Sequence, residues 1–171
     1  GKRDPMLSHL KKLSDLYQKP FSFFLETSAI KEPSLLWRNK PAKPKSSLLE
    51  AEFVKLCTHY QNLEVWTKAA KINSFKRLFA DAFPKDYPEV KQLAHETWKE
   101  MELGAKPGES LFRVLEEVYG VKLFHMRLGN DASSACIYTE EFGPAIMLNS
   151  DSKQWRRNFD LAHELFHLIT W

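Results

Sequence analysis

Apolar residues at helical spacing open the chain. Leu7, Leu10, Leu13, Leu16 and Tyr17 recur with Lys11, Lys12 and Asp15 between them, which predicts an amphipathic helix over 5–18, stopped by Pro20. From Pro20 to Lys45 the texture changes. Phe21, Phe23, Phe24 and Trp37 are interleaved with Pro33, Pro41 and Pro44, and a basic Lys-Pro stretch closes the segment, as in a connector that docks through its aromatic residues. A long helix is expected over about 47–70, with Ser46 or Ser47 as its cap and Glu50 closing a capping box, carrying Phe53, Leu56, Tyr60, Leu63 and Trp66. The apolar patch around Phe75, Leu78, Phe79 and Phe83 ends at Pro84. Pro88 then opens a helix through Val90, Leu93, Ala94, Thr97 and Met101, which Gly104, Pro107 and Gly108 end. Leu111, Leu115 and Val118 predict a further helix over 109–119, with Gly120 as its C-cap.

After Gly120 the period shortens. Val121–Arg127 alternates loosely, Ala135–Thr139 is short and rich in β-formers, and Ala145–Leu148 is an apolar run after a Gly143-Pro144 turn. These read as three short strands, antiparallel when joined by the intervening turns. Ser152 starts a last helix that runs to the end of the chain. Helices first, a small three-stranded antiparallel sheet second and a single helix last give an α+β fold. The domain reading is a helix plus connector over 1–45 and a second domain over 46–171. Gly1 in place of Met, and Trp171 four positions past His167, read as cut ends.

Composition narrows the class. With 171 residues, 43% of them hydrophobic, the chain is long enough to bury a core. Its net charge of +3 comes from basic residues scattered among 22 acidic ones, so charge alone gives no support for nucleic-acid binding. Cys57 and Cys136 lie far apart without Cys-x-x-Cys spacing and read as reduced thiols of a cytoplasmic protein. No apolar run approaches the roughly 18 residues of a spanning helix, so no membrane role is expected.

The chemistry concentrates in His163-Glu164-Leu165-Phe166-His167. Four residues apart on a helix, His163 and His167 share a face, with Cβ atoms about 5–6 Å apart, close enough for both imidazoles to hold one metal ion. Zinc suits the pair, because catalytic zinc takes three protein ligands and leaves one position for a water whose pKa falls to about 7. Glu164 reaches that water as general base. The competing explanation is a chance pattern buried as a satisfied core pair. Against it, Leu161, Ala162, Leu165, Phe166, Leu168 and Ile169 make the helix otherwise apolar, so burying the three polar residues without partners costs several kcal/mol. His95-Glu96 is an internal control: Lys99 stands at the position of a second ligand, and the pair reads as solvated or capping. Asp160, one turn before His163, is a candidate to bond a ligand or cap the helix rather than to bind the metal.

Asn158-Phe159-Asp160-Leu161-Ala162-His163-Glu164-Leu165-Phe166-His167-Leu168-Ile169 resembles the motif helix of the ImmA/IrrE metallopeptidases. Gly143 to Ser150, followed by Arg156-Arg157, looks like the strand and Asn turn that precede that helix. His9 to Tyr17, with Pro20 and Phe23-Phe24-Leu25, is similar to the last helix and exit strand of a Cro/repressor-type helix-turn-helix domain, a frequent fusion partner. The resemblance implies a zincin-like fold, His163 and His167 as zinc ligands, Glu164 as base, and an acidic third ligand on a later helix, beyond Trp171. It implies a protein substrate, a DNA-binding repressor, with DNA contacted through the N-terminal reader. Phe166 departs from the family, which carries a small residue there, and so does Asp160, where Thr is common.

The leading expectation is a zinc-dependent endopeptidase that hydrolyses a peptide bond in a regulatory protein held along the sheet, with the present ligand set incomplete and so inactive alone. The alternative is a transcriptional regulator whose zincin-like part senses a metal or ligand without proteolysis; a third is an interaction domain with a degenerate site. His59, His95 and His125 read as structural or surface residues, and Trp66, Trp98 and Trp155 as core. Tyr138 is a candidate to stabilise an oxyanion.

Overall fold

The computed structural model describes residues 6–17, 21–25, 34–69 and 74–170. The chain divides into two compact units, Gly1–Glu32 and Pro33–Trp171. In the first, the helix α1 (Leu7–Tyr17) leads to a short 3-10 turn at Phe21–Phe24. Pro20 and the connector residues 26–33 lie outside the described residues.

The second unit begins with a short strand, β1 (Leu36–Arg38), and a long helix, α2 (Lys45–Thr67). Helices α3 (Tyr87–Glu100) and α4 (Pro107–Glu117) follow, then strands β2 (Lys122–Met126), β3 (Ser134–Thr139) and β4 (Gly143–Asn149), and finally α5 (Gln154–Ile169). The fold is α+β, as expected, but its sheet is mixed and has four strands in the order β1-β3-β4-β2.

Two features correct the three-stranded antiparallel expectation. β1 comes from the connector and pairs antiparallel with β3, Leu36 opposite Cys136 and Arg38 opposite Ser134. Three residues among prolines are too few to show a period of two, so no alternation announces this strand. β2 runs parallel to β4, Lys122 opposite Ala145 and Met126 opposite Asn149, because the 127–133 loop carries the chain past one strand position before β3 begins. β3 then returns through a tight turn to β4, which fills the vacant slot. Gly143 and Pro144, expected as the turn, are the first residues of β4. The buried Asn149 pins the crossover loop: its Nδ2 donates to the carbonyls of Gly129 (2.7 Å) and Ala132 (2.8 Å), and its Oδ1 accepts from Leu128 N and Asp151 N.

Alternate residues of the strands face opposite layers. Ala135, Ile137, Ala145 and Met147 pack with Phe53 and Cys57 of α2, while Leu123, Cys136, Ile146 and Leu148 pack with α4 and α5 through Leu111, Leu115, Leu161, Leu165 and Leu168. Lys122, on the α2 side of β2, is buried and pairs with Glu64 at 2.8 Å.

Several local expectations change. α2 starts at Lys45 after Pro44 with no side-chain cap, because Glu50 instead accepts from the Trp37 indole at 2.7 Å and pairs with Lys40. Asp86 caps α3 by accepting from Glu89 N at 2.9 Å. Gly120 takes φ +65° just beyond α4, as a C-cap glycine does. Trp66 and Trp155, read as core, are exposed at 76% and 66%, on the solvent sides of α2 and α5. Trp98 is also partly exposed and donates to the Gly104 carbonyl. Among the described residues, no helix is long and apolar enough to cross a membrane.

Candidate metal centre

α5 owes its course to Leu161, Leu165, Leu168 and Ile169, which recur at helical spacing and are buried against the sheet and α4. This stripe fixes the rotation of the helix and leaves His163 and His167 half-buried on a neighbouring face. Their Nε2 atoms lie 3.1 Å apart, with the rings edge to face. Zn–N bonds of about 2.0–2.1 Å at the tetrahedral angle separate two ligand nitrogens by about 3.3 Å, so the pair needs little adjustment to share an ion. Burial, then His167 and the positive charge of Arg38, lower the pKa of His163, which favours the neutral imidazole that a metal requires. Among the described residues no group of three His, Cys, Asp or Glu side chains converges on one point, so a metal held here would take two ligands from this pair and need others besides.

Glu164, one residue round the helix, is fully buried and faces β3. Its Oε1 accepts from the Ser134 hydroxyl at 2.5 Å, whereas its Oε2 has no hydrogen-bond partner among the described residues. Burial raises its pKa; the Ser134 hydroxyl, the Cys136 thiol beside it and nearby His167 pull the other way, and Asp160 adds to the rise. Cys136 is itself pushed up by burial and by Glu164.

Asp160 is buried and takes two guanidinium groups. Arg38 Nη1 donates to Oδ1 at 2.7 Å, and Arg156, four residues before Asp160 on α5, lies 3.2 Å away through Nε. The Phe159 ring packs beneath both, 4.8 Å from the Arg38 guanidinium carbon and 5.9 Å from that of Arg156. Asp160 thus ties β1 to α5 and is not spent on a helix cap.

Ser134, Cys136, Arg38 and Arg156 were not singled out by spacing as members of the site. Ser134 and Cys136 share a strand face, and Arg156 stands one turn from Asp160, so these three carried a periodic signal. Arg38 carried none, because more than a hundred residues separate it from α5. The other candidates lie elsewhere. His125 is exposed on β2 beside Phe112, and Tyr138 packs edge-on against Phe79. His59 is exposed, and the exposed His95 stacks on Trp98, in keeping with surface roles.

Within this arrangement, the stretch from the end of α4 through the three longer strands to α5 is the part that other proteins share. Residues 116–170 match the family model of the IrrE N-terminal-like domain, Peptidase_M78. The Peptidase_M78 match suggests a metallopeptidase, and it contains His163, Glu164 and His167 with Ser134 and Cys136. It does not reach β1 or α1, and nothing in these comparisons supports the expected helix-turn-helix domain. No curated protein and no solved structure matches the chain.

Proposed function

We propose that the chain is part of a zinc-dependent endopeptidase of the ImmA/IrrE type, with His163 and His167 as metal ligands and Glu164 as general base. The observation that carries this reading is the imidazole pair, with nitrogens 3.1 Å apart, one residue from a buried carboxylate, all inside the peptidase-family match. Zinc, when bound, supplies the Lewis acidity that lets water lose its proton near neutral pH. Glu164 accepts that proton through Oε2, the oxygen without a partner, while Ser134 holds Oε1 in place. Its raised pKa makes it a stronger base than an exposed carboxylate and lets it pass the proton to the departing amine. The substrate is a regulatory protein, a DNA-binding repressor, on the strength of the resemblance of residues 143–170.

Zinc stoichiometry by elemental analysis, on a chain that includes the acidic third ligand which the resemblance implies, tests the metal assignment: about one ion per chain is expected, lost in His163→Ala and in His167→Ala. Absence of zinc from that completed chain, or a His163→Ala variant of it that keeps the metal, overturns the reading. Glu164→Gln is expected to keep the metal and to slow cleavage of a repressor substrate by about 10²–10⁴.

A further inference from the structure

Asp160 is shared by two guanidinium groups, Arg38 and Arg156. The two arginines are unequal. Arg156 uses Nε on Asp160 and Nη2 on the Ser133 hydroxyl. Arg38 uses Nη1 on Asp160, and among the described residues its Nε and Nη2 have no partner, although its side chain is only 21% exposed.

The sheet register decides where Arg38 looks. Opposite residues of an antiparallel pair share a face, so Arg38, paired with Ser134, lies on the α5 side with Glu164's partner, while Trp37 turns to the α2 side. Phe159 beneath the guanidinium and Asp160 at one end hold it flat and leave its other edge free. A planar guanidinium fixed in this way, in a half-buried place with unspent donors, is suited to an oxygen anion. Asp160 stands about one helical turn before His163, so the guanidinium that it holds lies within a turn of the imidazole pair.

We infer that Arg38 forms an anion subsite beside His163 that receives the substrate's carbonyl oxygen as it becomes negatively charged in peptide hydrolysis. The identity of the anion rests on the peptidase reading; the existence of the subsite does not. As water adds to the carbonyl carbon, the C=O π pair moves onto oxygen, Arg38 donates to that oxygen, and the pair returns when the C–N bond breaks and the amine leaves with the proton from Glu164.

A phosphinic pseudotripeptide, in which a charged PO₂ group replaces the scissile amide, is the probe, with the unmodified amide tripeptide as neutral control. Binding is followed by NMR on the Arg38 Nε–Hε signal and the two imidazoles, with and without one equivalent of zinc. In wild type the phosphinate is expected to bind at least about tenfold more tightly than the amide and to shift the Arg38 signal, one charge-assisted hydrogen bond being worth roughly that factor. Arg38→Met loses the preference, and Arg38→Lys, which keeps the charge and the pairing with Asp160, keeps part of it. An unchanged preference in Arg38→Met, or none in wild type, overturns the subsite. Should Arg38→Met fail to fold, the wild-type Arg38 signal and Arg38→Lys decide alone. Zinc content of the chain that includes the third ligand separates the two ideas: a phosphinate preference through Arg38, with no zinc taken up by that chain, upholds the subsite and overturns the metal reading.

Discussion

The Lys122 ammonium group sits in the apolar layer between the sheet and α2, and Glu64 answers it at 2.8 Å with the Tyr60 ring alongside. Removing one member leaves the other charge buried without a counter-ion, so Glu64→Ala is expected to cost about 3–5 kcal/mol, measured by urea unfolding. Exchanging Lys122→Met together with Glu64→Leu restores most of that stability, because the pair's desolvation is then avoided. On the same helix, burial pushes the Cys57 thiol up to about 12. A thiol of that kind is protonated at pH 8, so Ellman's reagent is expected to leave Cys57 unlabelled until the protein unfolds. Rapid labelling in the native state would show that α2 does not stay docked. At this scale the motif was the legible part, since His163, Glu164 and His167 declare themselves by spacing alone. Arg38 and the use of Asp160 did not, because an ion pair between residues so distant in sequence leaves no local periodicity to read.

Among the elements, the long helices and the three longer strands followed from their apolar periods, with ends displaced by at most three residues. The direction of pairing did not follow, because alternation states which face is buried and says nothing about which neighbour a strand takes. The side chain of Asn149 resolves that choice by tying β4 to the 127–133 loop. Asn149→Ala removes the donors to Gly129 and Ala132 and leaves the loop's buried carbonyls without them. A loss of about 2–3 kcal/mol is expected, with faster amide exchange over 128–133 than elsewhere. If the loss stays below about 0.5 kcal/mol, the range of an ordinary surface substitution, the crossover is held by other means. β1 depends on side chains more than on its length, since three residues contribute few ladder bonds while Trp37 and Arg38 reach Glu50 and Asp160.

At the scale of the molecule, the second unit is a sheet covered on one face by α2 and on the other by α4 and α5. β4 lies between β3 and β2 and is buried along nearly its whole length. Its amides are therefore expected to exchange most slowly in native-state hydrogen exchange, ahead of those of β3, with β1 exposed soonest. Slower exchange in β1 than in β4 would contradict this order. The layered α+β class was readable in the order of helices and strands. The covering of both faces was less so, because α2 lies far ahead of the strands in sequence, and its exposed Leu63 and Trp66 blur the stripe that marks its inner side.

The strand order also has a kinetic meaning. β3 and β4 are neighbours in sequence and space, and α5 follows them directly, so one contiguous stretch can assemble with little loop-closure entropy. β2 has no place until β4 arrives, and β1 must be brought in across the whole of α2, α3 and α4, contacts of the long sequence separation that slows folding. The imidazoles and Glu164 therefore come together early, on local contacts. The guanidinium of Arg38 joins them last, and a single backbone break anywhere between β1 and β3 would separate it covalently from the helix whose Asp160 it holds.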